Sequence, residues 1–137
     1  MSKINCLFFA LLLSVVTACS SDDKDRAPEF EIVFPSANST IVRSTDFTFS
    51  SVVSDDVELK QIKFSLSYKS GLKGIEEPWT PAEDVRTISG KEVTFTNEKL
   101  FKTTIPYESK AGIYTLLVTV SDKAGNEVEK SVDVTID

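Results

Sequence analysis

Gly112-Ile113-Tyr114-Thr115-Leu116-Leu117-Val118-Thr119-Val120-Ser121-Asp122-Lys123-Ala124-Gly125-Asn126 leads directly into Glu127-Val128-Glu129-Lys130-Ser131-Val132-Asp133-Val134-Thr135-Ile136. Tyr114, Leu116, Val118 and Val120 are opposed by Thr115, Leu117 and Thr119. A period of two places each set on its own face of an extended strand, so the segment reads as a strand with one face in a core. Val128, Val132, Val134 and Ile136 repeat the arrangement against Glu127, Glu129, Ser131 and Asp133. Asp122–Asn126 between them carries turn chemistry, with Gly125 able to take the positive φ that a tight hairpin requires. Two strands joined this way form an antiparallel hairpin, and the chain reads as all-β.

The same alternation extends upstream. Ile62, Phe64, Leu66 and Tyr68 are opposed by Lys63, Ser65, Ser67 and Lys69. Phe30, Ile32 and Phe34 form a shorter run, and Phe47 and Phe49 lead through Val52-Val53 to a turn at Ser54-Asp55-Asp56. Val93 and Phe95 give another strand, a turn follows at Asn97-Glu98, and Phe101, Thr103 and Ile105 give the next. One apolar and one polar face per strand predicts antiparallel sheets packed face to face, with water outside. No helical run is long enough to supply a crossover. The expected fold over residues 28–137 is a seven-stranded antiparallel immunoglobulin-like β-sandwich.

Gly112-Ile113-Tyr114, the alternating strand after it, and Asp122-Lys123-Ala124-Gly125-Asn126 resemble the closing hairpin of bacterial Ig-like and cadherin-like modules. The resemblance implies that Tyr114 occupies the corner-tyrosine position of those sandwiches.

The amino-terminal segment indicates an address. Lys3 precedes an apolar run, Cys6–Val16, of about eleven residues, which suits a signal peptide and falls short of the roughly 20 that span a bilayer. Val16-Thr17-Ala18-Cys19 resembles the lipobox of bacterial lipoproteins. It implies a leader over 1–18 and a diacylglycerol thioether on Cys19, and each buried methylene of such a lipid contributes about 0.8 kcal/mol to anchoring. Residues 19–27 then form an acidic tether too polar to bury itself. Ser20-Ser21-Asp22-Asp23-Lys24-Asp25 resembles the acidic surface-export signal of Bacteroidetes lipoproteins. The chain as a whole resembles the single-domain Ig-like lipoproteins of unknown function from that group. The implied location is the outer membrane facing the cell exterior, with the periplasmic face as the alternative.

Composition narrows the function. The chain has no histidine, and its two cysteines are Cys6 in the leader and Cys19. Ser-His-Asp and Cys-His catalysis are therefore ruled out, zinc would find only carboxylates, and no Gly-rich phosphate loop is present. A non-enzymatic role is expected, without a cofactor beyond the lipid. A net charge of −6 argues against nucleic acid as a partner.

Two groups of residues are candidates for a site. Asp55 and Asp56, with Glu58, lie in one turn, and Asp122 and Asn126 lie in another. Should the two turns meet at one pole, hard oxygen ligands could hold calcium; equally, aspartate is simply a good turn residue. The other candidate is Ser70–Gly90, the longest stretch without alternation. Thr80-Pro81-Ala82-Glu83 there has the form of a capping box and predicts a helical turn. Trp79, Ile75 and Leu72 either offer a surface for a glycan or an outer-membrane protein, or fold back as a lid on the core. Strand order predicts that this loop lies at the pole away from Pro28. The functional expectation is a binding or accessory module; a structural or adhesive envelope protein without a small-molecule ligand is the alternative.

Overall fold

The hairpin read from residues 112–136 forms as β7 (Gly112–Asp122) and β8 (Glu127–Ile136), in continuous antiparallel register from Gly112↔Ile136 to Ser121↔Glu127. The computed structural model describes residues 26–137. The leader, Cys19 and the tether as far as Asp25 lie outside the described residues.

On its other side β7 pairs antiparallel with β4 (Leu59–Ser70), Phe64 opposite Val118, and β4 pairs antiparallel with β5 (Asp84–Thr87). The far edge of β8 carries β2 (Thr40–Ile41), completing a five-stranded sheet of order β2-β8-β7-β4-β5. The second sheet consists of β1 (Glu29–Phe30), β3 (Phe47–Ser54) and β6 (Glu92–Leu100), in the order β1-β3-β6. The chain passes from one sheet to the other between β1 and β2, through a cis Phe34–Pro35 peptide. Apolar side chains of both sheets meet in one core. Phe49 of β3 packs edge-on against Phe64 of β4, with ring centroids 4.8 Å apart, and Phe95 of β6 touches both rings. Burial of each such side chain contributes about 1.5–3 kcal/mol.

The all-β, two-sheet expectation holds, and its details change. The described residues form eight strands rather than seven, and β2 runs parallel to β8, so the larger sheet is mixed. Asn97-Glu98 is not a turn: β6 continues through it to Leu100. Asn97 takes φ +46° and donates its N–H to Ser50 Oγ at 2.9 Å, where the β3–β6 register shifts. Phe101–Ile105 is not a strand either. Phe101 has φ +62°, outside the β region, although Phe101 and Ile105 are both buried. The alternation there reports burial of an irregular segment, which Ile105 fastens by exchanging backbone bonds with Ser44 and Thr45.

β5 is an element that apolar periodicity does not reveal, because its inward residues are charged. Arg86 lies over the Phe64 ring at 5.7 Å and grips Asp84 with two bonds, Nε to Oδ1 at 2.9 Å and Nη2 to Oδ2 at 2.8 Å. It also donates to Glu98 at 2.9 Å and to the Lys99 carbonyl at 2.6 Å, both on β6. The pair therefore closes the side of the sandwich where the two sheet edges meet. Asp84 Oδ2 additionally accepts the N–H of Phe101 at 2.8 Å, holding that residue in its left-handed conformation. Arg86, chiefly through its hydrogen bonds, holds the Asp84 carboxyl below the ordinary carboxylate range. The resulting stability is present above the unfolded pKa of about 3.9 and is lost as pH falls through the folded value. Asp84→Ala is expected to cost about 1–2 kcal/mol at neutral pH. In urea melts the gap between variant and wild type should narrow below about pH 4.

The registers also assign the poles. Glu29↔Ser54 and Leu59↔Asp122 place Pro28, the Asp55 turn and the Asp122 turn together. Ser70↔Ile113 and Gly112↔Ile136 define the opposite, distal end, from which the loop after β4 projects.

Candidate functional site

The distal loop starts where two backbones touch. A Cβ on Gly71 would stand 2.7 Å from the Ala111 carbonyl oxygen, and one on Gly112, at φ +153°, would stand 2.5 Å from the Ser70 carbonyl oxygen. Only glycine allows this approach. The loop then extends away from the body, leaving Leu72 and Ile75 88% and 97% exposed. It is fastened again where Lys110 N–H donates to the Glu77 carbonyl at 2.9 Å.

Trp79 turns inward. It is 7% exposed, with its ring 5.5 Å from Phe101 and 6.4 Å from Phe47. Its backbone N–H donates to Tyr114 Oη at 3.1 Å, and Tyr114 O–H donates to the Lys110 carbonyl at 2.7 Å. Tyr114 is fully buried on β7, and that burial pushes its phenol up from the ordinary tyrosine value. The expectation of Trp79 as a contact residue is corrected: flanking Phe101, Phe47 and Tyr114 make the indole part of the core. Lid and contact surface are thus divided along one loop, Trp79 forming the first while Leu72 and Ile75 stay outside. No helical turn forms at Thr80–Glu83, which runs extended into β5.

Tyr107, which strand periodicity does not single out, adds to this pole. It is 76% exposed, and the Arg43 guanidinium lies 5.7 Å from its ring while donating to the Tyr107 and Ser109 carbonyls. An open groove of about 650 Å³ lies alongside, lined by Ile75, Glu77, Trp79, Pro106 and Glu108 among others. The distal pole thus presents apolar side chains on a loop whose base is held by backbone contacts. Such a surface can engage a partner without ordering a disordered segment first.

At the opposite pole the two acidic turns do meet. Asp55 Oδ2 accepts the N–H groups of Val57 at 3.1 Å and Glu58 at 2.8 Å. Asp122 Oδ1 accepts the Asn126 N–H at 2.8 Å, and its Oδ2 accepts Asn126 Nδ2 at 3.0 Å. Burial pushes the Asp122 carboxyl up, but the Asn126 amide and backbone donors outweigh it and hold the group below its ordinary value. Asp56 is exposed and accepts the Arg26 N–H at 3.5 Å, while Glu58 pairs with Lys123 at 2.8 Å. Of the acidic candidates, Asp55 and Asp122 are buried in turns that the Lys123 N–H joins by donating to the Glu58 carbonyl at 3.0 Å, and Asp56 and Glu58 turn outward. Among the described residues no three acidic, histidine or cysteine side chains converge as a metal-binding group.

A family model described as a domain of unknown function, DUF4625, matches residues 17–137. No curated protein matches the chain.

Proposed function

The chain belongs to the DUF4625 family, and from that premise we propose a lipid-anchored, non-catalytic binding module with an immunoglobulin-like sandwich. The sheet orders β1-β3-β6 and β8-β7-β4 correspond to A-B-E and G-F-C of that fold, with the first strand divided between the sheets as β1 and β2. Tyr114, bonded to the carbonyl of Lys110 just upstream, supports the same reading as a corner tyrosine. Cys19 carries the lipid, and residues 20–27 hold the domain off the outer membrane, facing the cell exterior.

The observation that carries the binding role is the near-complete exposure of Leu72 and Ile75 on a loop fastened at its base. This loop lies at the pole opposite Pro28, where the tether enters. An anchored domain presents that pole outward, and the partner is a glycan or an outer-membrane protein met there.

The test is a photo-crosslinking residue at position 75 in living cells, with position 33, exposed and away from the distal loop, as the control. A discrete adduct is expected from position 75 alone. Leu72→Ser with Ile75→Ser should abolish crosslinking from a reporter at position 107 while leaving stability within about 0.5 kcal/mol. No adduct from position 75 overturns the binding role. Protease added to intact cells separates the two faces of the membrane: cleavage supports the exterior, and protection until lysis moves the partner search to the periplasm.

A further inference from the structure

The tether pole holds an unbalanced charge arrangement that is independent of the distal loop. Asp55 and Asp122 stand in turns joined where the Lys123 N–H donates to the Glu58 carbonyl at 3.0 Å, and the two residues are only 8% and 2% exposed. Both oxygens of Asp122 have donors in Asn126. Asp55 is half satisfied. Its Oδ2 takes two backbone N–H groups, whereas Oδ1 is buried with no donor among the described residues. A buried carboxylate oxygen without a partner is costly, and a second carboxylate beside it adds repulsion unless positive charge lies between them. Lys123, the lysine of the neighbouring turn, is engaged by Glu58 instead.

We propose that Asp55 and Asp122 hold a calcium ion between them, with Asp55 Oδ1 as a direct ligand. The donors are all oxygen, which excludes the nitrogen and sulfur chemistry that zinc prefers. Calcium accepts irregular arrangements of six to eight oxygens, whereas magnesium demands a near-octahedral set. A cavity of about 220 Å³ lined by Arg26, Ala27, Glu29, Ser54, Asp55 and Asp56 opens beside Asp55, with room for an ion's waters. Since only two carboxylates converge, carbonyls and water complete the shell. That puts the affinity in the range of extracellular modules, Kd about 10⁻⁴–10⁻³ M. The ion would join the turn after β3 to the turn after β7, and so fasten one sheet to the other where the tether enters.

The test is thermal melting of the purified full-length protein, stripped of metal at about pH 7, with calcium or magnesium chloride added to about 10 mM. Calcium should raise Tm by about 5–10 °C and magnesium by under about 2 °C. Asp55→Asn keeps an acceptor for the Val57 and Glu58 N–H groups and should lose the calcium response. Asp122→Asn should lose it too, and Asp56→Asn should retain it. Equilibrium dialysis against radioactive calcium should give one ion per wild-type chain, a readout that does not depend on how well the variants fold. No binding, or a response that persists in Asp55→Asn, overturns the proposal. So does a wild-type Tm that calcium and magnesium raise equally.

Discussion

Trp79→Ala is expected to destabilise the domain by about 3–5 kcal/mol, the usual cost of deleting a buried aromatic side chain. The indole fills the space between Phe101 and Phe47, and nothing else in the loop can replace it, since Leu72 and Ile75 point to solvent. The loss also frees Phe101, a bulky residue kept at φ +62° by its bond to Asp84 and by the ring packed on it. Urea denaturation should show a lower midpoint. Any loss of partner binding in this variant would then track unfolding, in contrast with the Leu72 and Ile75 substitutions, which should leave the midpoint in place. An unchanged midpoint would place the indole outside the core.

Tyr114→Phe should cost about 2–3 kcal/mol although only one oxygen is removed. That oxygen accepts from Trp79 N–H and donates to the Lys110 carbonyl, so its loss strands a buried donor and an acceptor together. The variant also has a pH signature. Burial raises the Tyr114 phenol, so the folded state binds its proton more tightly than the unfolded chain does. The associated stability is complete below the unfolded pKa of about 10 and is lost as pH rises through the folded value. Wild type should therefore lose stability in alkali more steeply than Tyr114→Phe, and the two curves should converge above about pH 10. Parallel curves would show that another group governs the alkaline limb.

The long strands were legible because one face of each meets the opposite sheet and the other meets water, a difference written in Tyr114–Val120 and Ile62–Tyr68. Periodicity failed where burial and strand geometry part company. Phe101 and Ile105 alternate and are buried, yet the backbone between them is irregular. β5 is a strand whose inward residues are Asp84 and Arg86, because its role is to join two sheet edges by charge. β2, at two residues, is too short to show any period. The acidic pole was predictable from turn chemistry, and the loop at the other pole from its lack of pattern. The orientation of Trp79 was not predictable, since it depends on Tyr114 and Phe101, residues distant in sequence.

The shortness of β1 has a mechanical consequence. A pull between Arg26 and the distal loop runs along the strand axes, and ladder hydrogen bonds lie across those axes. The long ladders of β4, β7 and β8 would have to break together rather than one bond at a time. β1, paired with β3 over only two residues, is the exception and is the first of the described strands. Under load it detaches before anything else, but the chain is caught again where Phe34 exchanges backbone bonds with Ser50 of β3, so only about four residues, roughly 14 Å, are released, while β2 stays aligned with β8. The domain would thus give up a short length of its amino-terminal edge before the long ladders began to part.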